Sequence, residues 1–378
     1  MALFRRLIGG RTEPEPARPA ASKPAHPVPP PASGEARLRY IDGVVEQGRI
    51  REALALLAET PGDPDREHLL LWARALLKAG RAEEALVKCE HALAAFGEAV
   101  GTLVQRAKIL NELARDREAA ADLDRAVAIG PKDPLVPYAR GHLLARRGEY
   151  EAAIERFQEA LRLDARFDKA HGALGDVYDR LGQHDKAIHE FRSAIRANPA
   201  AAGWHTNLGA VYGEKGMYRE AIDQFRLAIG KDAKSAEAHY NLAVALNDQK
   251  HFDEAIAEFT LALDYEPDNV QAHYFLGRTL IRRGMYDKAM RELRRTLELN
   301  PQNAKAHYYL GIAQNKRDHV DEAVESFTRA VALDPDDGRS HYYMGIALEK
   351  RGEKEKARAA YRRAEELTAL GKREVGKT

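Results

Sequence analysis

Six histidines recur along the chain at intervals of 34 residues, and histidine is the commonest protein ligand for transition metals. They are His171, His205, His239, His273, His307 and His341. A repeat of this length accommodates two helices, so equivalent residues in successive repeats lie two helix-packing distances apart, about 16–20 Å. Ligands of one zinc ion lie about 2 Å from it. The histidines therefore cannot share a metal ion, and we interpret them as packing residues, with no metal site and no cofactor.

Sequence patterns that carry catalysis are missing as well. The sequence contains no P-loop, no Gly-x-Gly-x-x-Gly after a strand, no His-Glu-x-x-His and no Gly-x-Ser-x-Gly. The single cysteine, Cys89, excludes an internal disulfide and a cysteine-rich metal site. It falls in a column of large apolar residues, which favours a core position over a reactive thiol. We therefore expect a protein that is not an enzyme.

The histidine spacing belongs to a repeat that also contains small and large apolar residues. Gly175, Gly209, Gly277, Gly311 and Gly345 share one position, with Ala243 at the remaining step. An alanine column marks about ten repeats, the first of which fits after a shift of two residues: Ala53, Ala85, Ala119, Ala153, Ala187, Ala221, Ala255, Ala289, Ala323 and Ala357. A third column holds Phe157, Phe191, Phe225, Phe259, Leu293, Phe327 and Tyr361. Such internal periodicity is typical of a solenoid.

The pattern predicts two short helices in each repeat. Residues 171–181 and 185–195 both carry apolar residues at helical spacing. A glycine follows the first stretch in most repeats and predicts a helix C-cap, since glycine adopts positive φ without steric cost. Asn-Pro or Asp-Pro, as at Pro301 and Pro335, ends the second stretch. Small residues such as Gly175 and Ala187 predict that the paired helices approach closely there.

These columns resemble the tetratricopeptide repeat, with Leu-Gly-x-x-Tyr followed by Ala, Phe, Ala and Pro at fixed offsets; residues 239–267 are the most similar stretch. The resemblance implies an all-α fold, a right-handed α-solenoid superhelix of stacked helix-turn-helix repeats. It also implies that the first helix of each pair lines a concave groove. Arg106 and Arg140 depart from the pattern at a leucine position, so we expect less regular packing in the N-terminal repeats.

The composition divides the chain into three segments. Residues 1–34 are rich in proline and alanine and are expected to be a disordered segment. Residues 35–370 are predicted to form the solenoid, and residues 371–378 a basic C-terminal tail. The apolar stretches in the first ten residues are too short for a signal peptide, and no transmembrane segment is expected. We therefore expect a cytoplasmic protein.

The candidate groove residues are aromatic or amide side chains on the first helices. Tyrosine combines apolar area with a polar tip, which suits partner recognition. The alternative is that the tyrosines are scaffold residues of the repeat, and the sequence leaves both interpretations open. The predicted peptide-binding positions of these types are Asn207, Tyr240, Asn241, Tyr274, Tyr308, Asn315 and Tyr342.

Charge is distributed unevenly along the chain, although the totals of 59 Lys+Arg and 58 Asp+Glu nearly cancel. Residues 270–378 contain 22 Lys+Arg and 16 Asp+Glu, whereas residues 36–269 contain 32 and 39. The predicted groove follows this difference. Acidic positions in the middle repeats are Asp176, Asp179, Glu214, Glu237 and Asp248. Basic positions in the last repeats are Arg278, Arg282, Lys305, Lys316, Arg339 and Lys350. A groove of one sign attracts partners of the opposite sign, which predicts an acidic, extended peptide at the C-terminal groove.

The function favoured by the sequence is therefore a non-catalytic scaffold that binds a protein or an extended peptide. Two alternatives remain. One is RNA binding, which the balanced total charge disfavours and the basic C-terminal third favours. The other is self-assembly into a homo-oligomer through the terminal repeats, which the charged last helix disfavours.

Overall fold

The computed structural model describes residues 34–46, 49–60 and 63–375, and every element in them is a helix. The chain divides into an N-terminal unit ending at Val211 and a C-terminal unit beginning at Tyr212. The predicted disordered segment, residues 1–34, lies outside the described residues except for Gly34, where the first helix begins. The last helix continues to Val375, five residues beyond the predicted end of the solenoid.

The N-terminal unit contains five consecutive helix pairs. Its helices are α1 (Gly34–Glu46), α2 (Ile50–Ala58), α3 (Arg66–Lys78), α4 (Ala82–Phe96), α5 (Val100–Glu112), α6 (Asp116–Ile129), α7 (Leu135–Arg146), α8 (Tyr150–Leu163), α9 (Asp168–Arg180) and α10 (His184–Ala197). Helix α11 (Ala202–Glu214) follows and crosses the division between the units.

The C-terminal unit continues the same alternation of first and second helices. It contains α12 (Tyr218–Lys231), α13 (Ala236–Asp248), α14 (Phe252–Tyr265), α15 (Val270–Arg282), α16 (Tyr286–Leu299), α17 (Ala304–Lys316), α18 (Val320–Leu333), α19 (Gly338–Lys350) and α20 (Lys354–Val375). The predicted all-α solenoid of helix pairs is confirmed.

The small residues of the repeat make room for the large ones. A methyl group added at Gly175 would lie 2.8 Å from the ring of Phe191, and one at Gly311 would lie 2.8 Å from the ring of Phe327. The glycines therefore admit an aromatic ring from the paired helix, whereas the sequence predicted close approach of the two backbones. Phe191 and Phe327 are fully buried, as are the alanines of the repeat such as Ala187.

The turn between paired helices requires a left-handed residue, as the glycine column predicted. Gly182 and Gly284 adopt φ of 69° and 73°. Where the repeat lacks this glycine, the backbone keeps the same conformation, at Ala114 (φ 58°), Lys250 (φ 65°) and Asp318 (φ 60°). The tertiary packing thus imposes the turn even on residues for which positive φ is unfavourable.

Helix contacts define an inner and an outer side within each unit. In the C-terminal unit α13, α15, α17 and α19 contact one another in sequence, and in the N-terminal unit α1, α3, α5, α7 and α9 do the same. Between successive second helices of the described chain no contact of similar extent occurs. Because the first helices pack closer together, the surface that follows them within a unit is its concave side.

Two N-terminal pairs keep an arginine at the position where Leu242 and Leu276 stand later in the chain. Arg106 donates two hydrogen bonds to the buried carboxylate of Asp122, at 2.6 and 2.7 Å. Arg140 bonds to Asp124, which is exposed. Asp122 lies 16 residues after Arg106 and belongs to α6, the helix paired with α5, whereas Asp124 lies 16 residues before Arg140 and belongs to α6 of the preceding pair.

Candidate peptide-binding surface

The first helices α15, α17 and α19 carry most of the predicted site residues of the C-terminal unit. The first turn of α15 is capped by Asn269, whose side chain accepts a hydrogen bond from the backbone of Ala272. Asn303 caps α17 in the same way through Ala306. These caps fix where each helix begins and therefore which residues face the neighbouring first helix.

Three of the four predicted tyrosines in this unit contribute to packing. Tyr240, Tyr274 and Tyr308 are each at most 8% exposed. Each lies edge-on to an aromatic ring of the next repeat, with centroid distances of 6.0 Å for Tyr240–Phe275, 5.9 Å for Tyr274–Tyr309 and 5.7 Å for Tyr308–Tyr343. Of the two interpretations that the sequence left open, this burial favours the scaffold.

Burial also governs the acidity of these tyrosines. It raises the pKa of Tyr240, an effect that the positive charge of Arg278 partly offsets. It raises the pKa of Tyr274 and Tyr308 as well. The three hydroxyl groups therefore stay neutral over the whole range in which proteins usually function.

Tyr342, by contrast, is 51% exposed. Its ring lies 5.7 Å from that of Tyr361 on the paired helix, which leaves one side open to solvent. Of the four predicted tyrosines, this one can make a large apolar contact with a partner.

The basic residues of α15 lie over aromatic rings. The guanidinium carbon of Arg278 lies 4.6 Å from the ring centre of Phe275, and that of Arg282 lies 5.7 Å from Phe252. A cation over an aromatic face is held in place without losing its charge. Within the described residues neither arginine has a carboxylate within 4 Å, and Arg278 Nε is buried without a hydrogen-bond partner.

Lys305 at the start of α17 and Lys316 at its end are exposed and also have no carboxylate within 4 Å among the described residues. Arg339 and Lys350, which the sequence placed in the same set, do have partners. Arg339 pairs with Asp337 at 3.1 Å, and Lys350 with Asp318 at 3.0 Å. We call Arg278, Arg282, Lys305 and Lys316, which all lie on first helices, the unpaired cations.

The predicted asparagines are buried and do not form a ladder. Asn207 lies in the N-terminal unit, whereas Asn241 and Asn315 belong to the C-terminal unit. The backbone carbonyl of Asn315 accepts a hydrogen bond from Lys350, and its side-chain oxygen is buried without a partner in the part of the chain that is described. A ligand that donates a hydrogen bond to this buried oxygen would remove the free-energy cost of leaving it without a partner.

The histidine column has a role beyond packing that the sequence analysis missed. Nδ1 contacts a glutamate of the paired helix at 2.7 Å in His171–Glu190, 2.6 Å in His239–Glu258 and 2.7 Å in His273–Glu292. Nε2 of the last two lies 3.2 and 2.9 Å from the carbonyls of Ala233 and Pro267 before the same first helix. The signal was present in the sequence, because each glutamate follows its histidine by 19 residues.

Cys89 occupies the core position that the sequence predicted and is fully buried. Burial raises the pKa of its thiol to about 12. The thiolate is the reactive form of cysteine, so this residue is inert at neutral pH.

No helix in the described ranges combines the length and the apolar character that crossing a bilayer requires. Comparison with curated proteins gives no match. Among solved structures, the APC/C hetero-tetramer Cut9-Hcn1 aligns with 83% of this chain at 18% identity and a TM-score of 0.59. This chain spans 62% of the length of that one. At this identity the likeness shows the fold alone.

Two further structures align over a smaller part of the chain. YrrB, described as a TPR protein with an unusual peptide-binding site, matches 50% of this chain and 96% of its own at 22% identity and a TM-score of 0.45. MamA matches 44% of this chain and 97% of its own at 22% identity and a TM-score of 0.42. Neither value is high enough to support a functional argument.

Family models identify the repeat directly. One model described as tetratricopeptide repeat matches residues 246–314, and a second with the same description matches residues 138–202, 206–263 and 313–371. Together they cover more than half of the sequence. The chain therefore belongs to the tetratricopeptide repeat family.

Proposed function

We propose that this protein is a non-catalytic scaffold whose C-terminal unit binds an acidic, extended peptide along the first helices α15, α17 and α19. The observation that carries the proposal is the set of unpaired cations, Arg278, Arg282, Lys305 and Lys316. All four lie on first helices, where the packing of the unit creates its concave side.

Several basic residues at the turns and on the second helices of the same unit are neutralised. Arg283 pairs with Asp253 at 2.7 Å, and Arg317 with Asp287 at 3.0 Å. On α16, Arg294 pairs with Glu322 at 3.1 Å and Arg295 with Asp268 at 2.6 Å. Among the first helices of this unit, the positive charge that remains for a partner is on α15 and α17, where it favours carboxylates.

Because the first helices of successive repeats contact each other, α15 and α17 lie about 8–10 Å apart, and an extended peptide that advances about 3.3 Å per residue covers this distance in about three residues. Acidic residues at that spacing would meet the cations of α15 and then those of α17. The exposed ring of Tyr342 on α19 would supply an apolar contact beyond them.

A fluorescence anisotropy titration tests the proposal. The probe is a fluorescein-labelled decapeptide with four glutamates, and the reference is the same peptide with glutamines. We expect Lys305→Glu with Lys316→Glu to weaken binding of the acidic peptide about tenfold, because two favourable contacts of up to about 1 kcal/mol become repulsive. Both lysines are exposed, so the folded structure should persist.

The matched control is Lys288→Glu with Arg291→Glu on the second helix α16. These two residues are exposed and have no ion pair among the described residues, so the control changes the net charge equally. It should leave affinity within about twofold at 150 mM salt, because charges beyond a Debye length of about 8 Å are screened. Equal losses in the two variants would contradict the proposal.

A further titration uses fluorescein-labelled oligouridine in place of the peptide, to test RNA binding by the same surface. If the oligonucleotide binds more tightly than the acidic peptide, and the loss in Lys305→Glu with Lys316→Glu is larger for it, the surface is a nucleic-acid interface and the peptide proposal is wrong.

A further inference from the structure

A cavity of about 660 Å³ lies in the N-terminal unit, among helices α5 to α9. Its volume is within the range of about 300–1,000 Å³ that small-molecule sites usually have. The residues that enclose it belong to three successive helix pairs. This cavity is separate from the unpaired cations, which all lie in the C-terminal unit.

The origin of the cavity is visible in one column of the repeat. Ala139 and Ala173 line it. At the same repeat position, the last three helix pairs of the C-terminal unit carry Phe275, Tyr309 and Tyr343, after Asn241 in the pair before them. There the rings fill space between helix pairs: Phe275 stacks with Phe259 at 6.3 Å between ring centres, and Tyr343 with Phe327 at 6.2 Å. With alanine in two successive pairs, the N-terminal unit lacks the atoms that would occupy this room.

Two basic side chains on the cavity wall form no ion pair with any described residue, although the carboxylates of Glu112, which pairs with Arg146 at 3.8 Å, and of Asp176 also line the cavity. Lys108 on α5 and Arg180 on α9 line the cavity, and within the described chain neither has a carboxylate within 4 Å. Lys108 remains accessible to water, but the surrounding protein displaces part of its hydration. This desolvation lowers the pKa of its ammonium group, and the positive charges of Lys169 and Lys78 lower it further, whereas the carboxylate of Glu112 raises it. An anion beside Lys108 would relieve both effects.

Asn111 adds an unsatisfied acceptor. It lies one turn after Lys108 on α5, lines the same cavity, and is 8% exposed. Its Oδ1 atom is buried and accepts no hydrogen bond from any described residue. A buried acceptor in this state costs stability until a donor reaches it. Residues three apart on a helix are neighbours, so one small group can reach both Lys108 and Asn111.

We infer that this cavity binds a small carboxylic acid that has an apolar body and a hydrogen-bond donor next to the carboxylate. The apolar body takes the room beside Ala139 and Ala173. The carboxylate accepts hydrogen bonds from Lys108 and interacts with the charge of Arg180. The donor of the ligand reaches Oδ1 of Asn111.

Methyl NMR of the full-length protein tests this inference, since the cavity is lined by five alanines: Ala107, Ala119, Ala139, Ala145 and Ala173. The protein is labelled at alanine methyl groups and titrated with 3-phenyllactate, which has a phenyl ring, a hydroxyl and a carboxylate. We expect saturable ring-current shifts at Ala139 and Ala173 and none at alanines of the C-terminal unit such as Ala243. Shifts that stay linear in ligand concentration, or that concentrate outside the cavity, would overturn the inference.

Ligand and protein variants then assign each contact. We expect 3-phenylpropionate, which lacks the hydroxyl, to bind about tenfold more weakly, and Asn111→Ala to remove this difference. Lys108→Gln should weaken 3-phenyllactate at least tenfold, whereas Lys132→Gln, an exposed lysine outside the cavity, should not. Unchanged affinity in Lys108→Gln would contradict the assignment.

Ala173→Phe restores the residue type of Phe275 and should abolish binding by filling the cavity. If this variant unfolds, as circular dichroism would show, Lys108→Gln and Asn111→Ala still decide the question. A folded Ala173→Phe protein that binds 3-phenyllactate as tightly as the original would show that the ligand lies elsewhere.

Discussion

The ion pair between Arg106 and Asp122 permits a quantitative test of how the fold accommodates a charge at a leucine position. The side chain of Asp122 is 1% exposed, and that of Arg106 is 20% exposed. Asp122→Ala leaves the arginine without its main partner, and breaking a buried pair from one side costs about 3–5 kcal/mol. Because Arg106 keeps some contact with water, we expect the low end of this range, about 3 kcal/mol.

The reciprocal change should cost less. In Arg106→Leu the carboxylate of Asp122 keeps its contact with Arg125, so we expect a loss of about 2 kcal/mol. The double variant contains no unpaired charge and has the leucine of the C-terminal pairs. We expect its free energy of unfolding to fall by no more than about 2 kcal/mol. This gives a coupling free energy of about 3 kcal/mol between the two residues.

Urea unfolding followed by tryptophan fluorescence measures these values. Trp72 and Trp204 both lie in the N-terminal unit, so their emission reports on the unit that contains the pair. The matched control is the cycle of Arg140→Leu and Asp124→Ala, since Asp124 is 73% exposed. There we expect a coupling below about 1 kcal/mol. If the losses of unfolding free energy at Arg106 and Asp122 were strictly additive, the two residues would not be coupled, which would contradict this prediction.

Three further predictions concern single positions. Lys250→Gly should stabilise the C-terminal unit by about 1 kcal/mol in urea unfolding followed by circular dichroism, because Lys250 holds a φ of 65° that costs a lysine about 1–2 kcal/mol. Cys89 should react with a thiol reagent at neutral pH only after denaturant is added, because its thiol is buried with a pKa of about 12. The hydrogen bond to Glu258 raises the pKa of His239, so its contribution to stability should be full below the unfolded pKa of about 6.5 and be lost as pH rises through the higher folded value.

Each of these predictions has a control. Arg291→Gly, at an exposed position inside α16, should destabilise instead, as glycine does inside a helix. Rapid labelling of Cys89 in the native protein would contradict its burial. Glu258→Gln should flatten the part of the pH–stability curve attributed to His239, and an unchanged curve would assign that part to another group.

The sequence predicted the fold because one short period determines most of the packing. A glycine at position 311 and a phenylalanine 16 residues later must meet when two helices pair, and the period then repeats that contact along the chain. The turn glycines were equally informative, and the packing extends their conformation to Lys250 and Ala114, where no glycine signals it.

The candidate site was less predictable because it depends on contacts between repeats. Tyr240 is buried by Phe275, a residue of the next helix pair, so its exposure cannot be inferred from its own helix. Lys305 and Lys350 look alike in sequence, but Lys350 lies next to Asp318 and Lys305 next to no carboxylate in the described structure. Ala139 and Ala173 share one position of the repeat in the sequence. The cavity beside them, however, depends on how three helix pairs pack in space.

Photo-crosslinking locates a bound acidic peptide on the helices of the C-terminal unit. An acidic decapeptide carrying one benzoylphenylalanine is irradiated with the full-length protein, and the attachment sites are identified by mass spectrometry. We expect attachment to α15, α17 and α19, which Lys305→Glu with Lys316→Glu should reduce and the control with Lys288→Glu and Arg291→Glu should leave unchanged. Attachment mainly to the second helices α16 and α18, or equally to all helices, would contradict the proposal.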